Sequence, residues 1–443
     1  MSNDANPDLR SALPPDDALR ELLHNEVHAR PAARIKLPAL LVYIAVLNEG
    51  VTRAEEYAHL RLLPGQSELS DTVLQGNFLR LRLDRCHVKW ERHSEFTRYT
   101  VVQPLPQSAW LGSVEPELFS ALRVDPEWLR GIPGRTVAAI KLALVEHDIS
   151  DPHSILKLGQ QWLGGRNVVA SVLGQGHSIA LTGFRLLPSG FERMLVIAPA
   201  GLSESRAGRI SQRLLELETY RLMALRALPV AKSLAPMLAA SESGLAEITA
   251  CLETKQETEQ DLLDRLIHVA ASVERATAEH MYRFSATQAY AALVRQRIDE
   301  LREAPIPGTQ TIGDFMQRRL SPAIATAAAT AQRLASLSQR TERASSLLRT
   351  RVDIATENQN QQLLAQLTRG QQLQLKLQTT VEGLSIAAIS YYVVSLLLYA
   401  GKAMKSAGLD INPEMAAGAA VPLVLWCVWK ATQRLHAKLY RED

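Results

Sequence analysis

Aromatic residues, cysteines and a surplus of one charge are all scarce in this sequence of 443 residues. Aromatic side chains make up only 5%, and the three cysteines (Cys86, Cys251 and Cys427) stand far apart with no CxxC pair. Such scattered cysteines argue against a zinc module or a disulfide framework and fit a reducing compartment. The net charge is only +3. No nucleic acid partner is expected from that balance.

Proline is absent from Met237–Ala304 and again from Ala323–Asn412. Because proline breaks a helix interior, two such stretches rich in Ala, Leu, Gln and Arg predict two very long helices. The turn PIPGTQTIG (305–313) separates them, and Ser321 with Pro322 supplies the cap and first residue of the second helix. The simplest packing is an antiparallel hairpin whose second arm continues towards the C-terminus.

The motifs of the common enzyme classes are absent as well. The chain has no Walker A loop, HExxH pair or kinase signature. GQGHSI (174–179) begins like a dinucleotide loop but lacks the third glycine and precedes a predicted strand. APAGLSESR (198–206) offers either an ordinary helix cap or an anion site at a helix N-terminus. We therefore expect no enzymatic activity, name no catalytic or cofactor-binding residue, and leave any cofactor unknown.

The pattern before residue 200 is typical of a mixed α/β head. Apolar runs at 40–48 and 136–147 predict buried strands, and helices are expected at 52–63, where Thr52 is the cap, and at 116–129. Three alternating runs, FLRLRLD, HVKWERH and FTRYTVV, predict an antiparallel meander with one face in solvent. Further strands are expected in NVVASVLG, SIALTGFRLL and RMLVIAP.

Two long hydrophobic runs lie near the C-terminus. Residues 383–401 carry no ionised side chain, and 415–429 form a second run after the Asn412-Pro413 helix start. The first run is close to the ~20 residues that a helix needs to cross a bilayer. The helix that contains the second run is expected to continue to about Thr432, which is long enough to span if its ends reach the interface. Near these runs, six Lys or Arg residues lie on the outer flanks and two, Lys402 and Lys405, in the connecting loop. This bias predicts two membrane passes with both termini in the cytoplasm.

These patterns predict an α+β protein of five parts. The N-terminus, MSNDANPDLR, is too polar for a secretory signal, so insertion is expected to rely on the C-terminal hairpin. The expected parts are a disordered N-terminus (1–17), a mixed α/β cytoplasmic head (18–200), a long-helix coiled-coil stalk (201–382), a transmembrane hairpin (383–432) and a cytoplasmic tail (433–443).

Two helix faces near the membrane each have two interpretations. Residues 358–379 contain eight glutamines and only two charges. That segment is either a packed helix showing Gln to water or the stalk of a homo-oligomer. In the first membrane run, one face carries small and hydroxylated residues, which suit either helix packing or the lining of a water-filled pore. Its members include Ser385, Tyr392, Ser395 and Tyr399.

Two clusters contain residue types that bind metals. Glu21, His24 and His28 share one face of a predicted helix and could bind a metal ion, or they could cap and pair. Glu146, His147, Asp148, Asp151 and His153 follow a predicted strand. A polar turn between strand and helix accounts for that second group equally well.

Three stretches together resemble one bacterial family. They are NEVHARP (25–31), QRLLELETYRLMAL (212–225) and GLSIAAISYYVVSLL (383–397). The chain resembles the family catalogued as domain of unknown function thirty-four twenty-two, which implies a membrane location and no assigned activity. The architecture is also similar to the CorA class of magnesium channels. The Gly-Met-Asn tripeptide of that class is missing, and the residues after the first run are YAGKAM (399–404).

The sequence therefore favours a membrane-anchored protein that is not an enzyme. We expect a homo-oligomer of the bacterial inner membrane whose head and stalk bind, sense or scaffold, with the lipid bilayer as one partner and the ligand or ion unknown. The alternative is a CorA-like ion channel with a different filter, in which the Ser385–Tyr399 face would line the pore.

Overall fold

A computed structural model describes residues 16–20, 23–24, 33–70, 76–165, 167–254, 257–407 and 412–439. Among these residues the chain forms nine strands: β1 Ala39–Leu47, β2 Phe78–Arg82, β3 His87–Arg92, β4 Phe96–Pro104, β5 Arg135–Glu146, β6 Val169–Leu173, β7 Ser178–Thr182, β8 Glu192–Ala198 and β9 Ala304–Pro305. The helices are α1 Arg53–Arg61, α2 Pro126–Arg130, α3 Pro152–Trp162, α4 Glu204–Leu225, α5 Ala227–Thr254, α6 Glu259–Leu301, α7 Ile312–Arg319, α8 Ser321–Ser406 and α9 Pro413–Leu439.

The predicted α+β class is confirmed. All nine strands form one sheet in the order β2-β3-β4-β1-β5-β8-β7-β6-β9. The β5–β8 pair is parallel and the other neighbours are antiparallel. The predicted meander is therefore present as β2, β3 and β4.

Both faces of the sheet are covered, and this explains why β1 is buried along its whole length. Alternate residues of a strand point to opposite faces. Leu40, Val42 and Ile44 belong to one hydrophobic core with Trp90, whereas Leu41 and Tyr43 belong to the second core, which includes residues of α4, α6 and α7. The continuous apolar run in β1 is thus the expected sequence of a strand covered on two sides.

The chain divides into two compact units. We call Met1–Gln256 with Asp264–Ala344 the sheet unit, and Glu257–Leu263 with Ser345–Asp443 the helical unit. The sheet unit extends past residue 200, where the head is expected to end, and it includes α4, which packs its apolar residues against the sheet. Leu214, Leu215 and Met223 are at most 3% exposed.

The first arm of the predicted hairpin is not one helix. It breaks between α5 and α6, and Thr258 starts α6 as a cap: its hydroxyl accepts from the Asp261 N–H at 3.2 Å and donates to the Asp261 carboxylate at 2.6 Å. The helix predicted at 116–129 is also wrong, since only Pro126–Arg130 is helical. A residue before proline avoids the helical region, and Asp125 instead caps α2 by accepting from the Glu127 N–H at 2.8 Å.

The second arm is a single helix of 86 residues, α8. Within the sheet unit its first part packs against α5, where Arg333 and Glu242 form an ion pair at 2.8 Å. In the described part of the chain, three helical stretches have the length and composition to cross a membrane: Glu204–Thr254, Ile312–Ser406 and Pro413–Arg434. The most apolar windows of the second and third are only 6% and 11% buried, whereas that of the first is 33% buried.

A buried acidic pair joins β8 to α4. Glu192 and Glu218 are 7% and 0% exposed, and Arg221 Nη2 lies 3.8 Å from the Glu192 carboxylate and also pairs with Glu218. Burial, reinforced by the neighbouring Glu218, raises the pKa of Glu192 from 4.5 to about 9. At intermediate pH the folded protein therefore holds a proton that the unfolded chain has released.

Glu192→Gln is expected to flatten the pH dependence of stability. With the folded pKa raised, the free energy of unfolding of the wild type falls as the pH rises from about 4.5 to about 9. Glutamine keeps the neutral form, so the variant should be the more stable protein at about pH 8. Urea titrations at about pH 5 and about pH 8 would measure this. Glu127→Gln, at an exposed position, is the control. If the free energy of unfolding changes equally with pH in Glu192→Gln and Glu127→Gln, the raised pKa does not belong to Glu192.

A cavity beneath α4 as candidate ligand site

One face of strands β1–β4 carries charged and polar side chains beneath α4. The register places Glu91 opposite Arg98, and Lys89 and Tyr43 on either side of Thr100. Lys89, Glu91 and Arg98 are 8%, 1% and 3% exposed. The alternating runs predicted that this face of the meander is in solvent. That prediction is wrong here because α4 covers the face.

Arg98 joins the charges of this face into one network. Its Nε and Nη2 donate to the Glu91 carboxylate at 2.5 and 2.9 Å, and its Nη1 donates to Glu216 of α4 at 2.9 Å. Glu216 also accepts from Arg297 Nε of α6 at 2.6 Å. Lys89 Nζ lies 3.0 Å from Glu91. The network therefore connects the sheet, α4 and α6.

Burial and neighbouring charges set the protonation states here. Burial alone would raise the pKa of Glu91, but the Arg98 guanidinium and the Lys89 ammonium outweigh it and hold that pKa below its usual range. Burial lowers the pKa of Lys89, and Glu91 offsets this only in part. Partial burial, together with Arg82 and Arg80, lowers the pKa of His87. The site thus holds an ionised Glu91 and, beside it, a Lys89 ammonium whose burial Glu91 offsets only in part. His87 is neutral at pH 7.

A cavity of about 110 Å³ lies between this network and α4. We call it the α4–sheet cavity. Its cationic lining residues are Arg34, Arg80, Lys89 and Arg98, and its apolar ones include Ile35, Leu41, Val102 and Leu215. Glu91 is the only acidic side chain among the described residues that line it, and both Arg98 and Lys89 already bind it. The cavity therefore carries excess positive charge beside apolar walls.

The segment before β1 approaches α4 closely at one end of this cavity. The Ile35 N–H donates to the Glu204 carbonyl at 3.1 Å. A Cβ on Gly208 would lie 1.6 Å from the Ala33 carbonyl oxygen, so no other residue fits between α4 and this segment. Glycine at 208 thus permits the contact that places Ala33, Arg34 and Ile35 in the cavity wall.

Metal binding by Glu21, His24 and His28 stays a prediction. Glu21 and His28 lie outside the described residues, and His24 alone of the three is described. Among the described residues no group of three or more His, Cys, Asp and Glu side chains is placed to hold a metal ion. In the second cluster Asp148 accepts from the Ser150 N–H at 3.1 Å, and Asp151 caps α3 by accepting from the His153 N–H at 3.1 Å.

The predicted membrane face lies on α8 in the helical unit. Tyr392 and Tyr399 are each 68% exposed, and Ser385 is exposed too. The Ser395 hydroxyl donates to the Tyr391 carbonyl at 2.8 Å, which satisfies it within the helix. The two interpretations of this face, helix packing and pore lining, both stay predictions.

A protein-family model matches residues 15–439, which is almost the whole chain. The chain belongs to that family, DUF3422, which is described as a protein of unknown function. No curated protein and no solved structure matches the chain.

Two of the stretches that resemble the DUF3422 family fall on described elements. Residues 212–225 belong to α4, where Gln212 and Leu215 line the α4–sheet cavity and Glu216 binds Arg98. Residues 383–397 belong to α8, and residues 25–31 lie outside the described residues. One family stretch thus coincides with the cavity wall. The alternating runs also contained a signal, because Lys89, Glu91 and Arg98 share one side of two adjacent strands.

Proposed function

We propose that this DUF3422 protein is a membrane-anchored, non-enzymatic binding protein whose sheet unit takes a small amphipathic anion into the α4–sheet cavity. The observation that supports the proposal is the excess of cationic over acidic side chains in the lining of one cavity that also has apolar walls. An ammonium has three N–H donors, of which Glu91 accepts one at Lys89, so donors are available to an anion. Arg80 and Arg34 add positive charge at the same cavity.

The volume of the α4–sheet cavity and the polarity of its walls narrow the class of ligand that fits. A cavity of ~150 Å³ holds benzene, which has six non-hydrogen atoms, so the 110 Å³ here suits a ligand of roughly four or five non-hydrogen atoms. A short monocarboxylate would place its carboxylate against Lys89 and Arg80 and its hydrocarbon part against Leu41 and Leu215. Such a ligand matches both the charge and the apolar walls, whereas a purely polar anion matches only the charge.

Short straight-chain monocarboxylates are expected to raise the unfolding temperature of the detergent-extracted protein, with a maximum at an intermediate chain length. Arg80→Gln should weaken their binding by about tenfold or more, because a hydrogen bond to a charged group contributes about 1.5–3 kcal/mol. Isothermal titration calorimetry would measure the change.

Arg82→Gln is the matched control, since Arg82 lies on the same strand and its loss removes the same charge, but it does not line the cavity. Equal affinities of the two variants, or no binding to the wild type, would refute this ligand site. Lys89→Met is a second variant inside the cavity. Because Lys89 is buried and pairs with Glu91, its unfolding transition is first compared with that of Arg80→Gln to show that it folds, and its affinity for the ligand is measured afterwards.

The membrane anchor is supported by the surface of the helical unit. Large apolar side chains of α8 and α9 are exposed, including Leu384, Leu396, Met415 and Leu423 at 66–75%. Water disfavours so much exposed apolar surface, and a bilayer favours it. We propose that α8 and α9 cross the inner membrane once each, with both chain ends in the cytoplasm. The stretch Glu204–Thr254 stays with the sheet, because α4 packs on it.

Cysteine labelling in intact cells is expected to separate the two sides of this topology. In a chain with its native cysteines replaced, Ser406→Cys between the spans should react with a membrane-impermeant maleimide in intact cells. Ser67→Cys in the sheet unit should react only after permeabilisation. The reverse pattern, or equal labelling of both, would rule out the two-pass arrangement.

For the helical unit we propose homo-oligomerisation, and the alternative function is ion conduction through a pore lined by the Ser385–Tyr399 face. The neutral, Gln-rich surface of α8 and the exposed Tyr391–Tyr392 pair, whose ring centroids are 5.8 Å apart, support contact with another copy. In the same labelling experiment, Tyr392→Cys and Ser395→Cys would both react if this face lined a water-filled conduit. We expect both positions to be protected from the reagent.

A further inference from the structure

Four arginines gather around a second cavity, on a different face of α4. The cavity has a volume of about 370 Å³ and lies within the sheet unit, where the β6–β7 turn and the end of α6 approach α4. Arg206, Arg209 and Arg213 come from α4, and Arg302 follows α6. We call it the arginine cavity.

Hydrogen bonds fix the wall opposite α4. The Gly174 N–H at the start of the β6–β7 turn donates to the Leu301 carbonyl at 2.9 Å. Gln175 (φ 64°) and Arg302 (φ 47°) hold left-handed conformations that are uncommon for residues with a Cβ. Beyond Arg302, β9 pairs with β6. The turn, Arg302 and α4 therefore present a preformed pocket.

The positive charges of this pocket are not balanced. Among the described residues that line it, Glu300 is the only acidic one. Its Oε2 accepts from Arg213 Nε at 3.0 Å, and its Oε1 accepts from Arg297 Nη1 at 2.9 Å. In the described part of the chain no ion pair involves Arg206, Arg209 or Arg302. Three guanidinium groups thus face the cavity region without a counter-charge.

A bound anion would relieve the repulsion among these guanidinium groups. Arg206, Arg209 and Arg213 are spaced three and four residues apart, so they share one face of α4, where like charges repel. Guanidinium groups bind phosphate through two parallel N–H···O bonds, which makes arginine clusters well suited to that group. The volume of 370 Å³ falls within the ~300–1,000 Å³ of small-molecule sites.

We propose that the arginine cavity binds a phosphate monoester or diphosphate group. Arg206, Arg209 and Arg302 donate to the phosphate oxygens, and Arg213 stays paired with Glu300. The group belongs either to a soluble phosphorylated metabolite or to an anionic lipid headgroup, which share this chemistry. The site is separate from the α4–sheet cavity, and its ligand is a phosphate rather than an amphipathic carboxylate.

The test uses the full-length protein in a neutral detergent at low ionic strength. Pyrophosphate represents the soluble source, and phosphatidic acid dispersed in the same detergent represents the lipid source, with phosphatidylcholine as its control. At least one of the two should raise the unfolding temperature of the wild type, and added sodium chloride should reduce the effect. Arg206→Gln/Arg209→Gln should weaken the apparent affinity by about tenfold or more for each arginine removed.

Arg319→Gln/Arg349→Gln is the charge-matched control, since it removes two exposed arginines that do not line the cavity. The ligand-free cavity variant should unfold at a temperature no lower than the wild type, because it loses repulsion. Arg302→Gln, which lies outside the helices, repeats the test if the double variant does not fold.

A response to pyrophosphate alone assigns the soluble source, and a response to phosphatidic acid alone assigns the headgroup. Three outcomes would overturn the site: no response of the wild type to either probe, equal affinities in the cavity and control variants, or an equal response to sodium sulfate at matched ionic strength.

Discussion

Replacing Arg98 by methionine is expected to lower the free energy of unfolding by about 3–5 kcal/mol. Arg98 is 3% exposed and binds both Glu91 and Glu216, so its loss leaves two buried carboxylates with less compensation. Breaking a buried ion pair from one side is costly because the remaining charge stays out of water. Urea titration of the detergent-extracted protein, followed by the near-ultraviolet circular dichroism of the buried aromatics, would measure the loss.

Arg130→Met is the matched control for Arg98→Met. Arg130 pairs with Glu127 on the surface, where the side chains are 65% and 73% exposed, and such pairs contribute about 0–1 kcal/mol. Adding Glu91→Gln and Glu216→Gln to Arg98→Met should recover part of the lost stability by removing the uncompensated charges. Equal costs for Arg98→Met and Arg130→Met would show that the network does not stabilise the fold.

Gly208→Ala is expected to displace the segment before β1 from α4. The new Cβ would lie 1.6 Å from the Ala33 carbonyl oxygen, and the obstructing atom belongs to the backbone, so a rotamer change cannot relieve the clash. Overpacking of this kind costs about 1–3 kcal/mol. Trypsin should then cleave after Arg34 faster than in the wild type, because Ile35, 2% exposed in the native fold, loses its cover.

Gly244→Ala provides the comparison, since Gly244 is another helical glycine and its added Cβ would meet only a methyl carbon of Val269 at 3.6 Å. Alanine favours a helix over glycine by up to ~1 kcal/mol, so this variant should be as stable as the wild type or more stable. If Gly208→Ala matches Gly244→Ala in both stability and trypsin sensitivity, the close approach of Ala33 does not matter.

Hydrophobic patterning predicted the strands well and their surroundings less well. The apolar runs in β1 and β5 and the alternation in β2–β4 each identified a strand, because side chains of a strand alternate with period two. Alternation shows which residues share a face but not what covers that face. Lys89, Glu91 and Arg98 therefore suggested a solvent-exposed surface, whereas α4, distant in sequence, covers them.

The long helices show a second limit. Absence of proline correctly predicted α8, but it did not predict the break between α5 and α6. The capping sequence Thr258-Glu259-Gln260-Asp261 was a usable local signal, since a cap with an acidic residue three positions later favours a helix start. The α4–sheet cavity itself depends on Gly208 meeting Ala33, a contact that no local pattern indicates.

The two ends of the sheet restrict how copies of this chain can join. In the described part of the chain the sheet ends with β2 on one side, where Arg80 and Arg82 alternate with leucines, and with β9 on the other. β9 has only two residues, and one of them is Pro305, which has no backbone N–H to donate. Charged, very short and proline-containing edge strands all resist pairing with a further strand. Pairing of edge strands is therefore a disfavoured way to join copies of this chain, and so is a fibre built by strand addition.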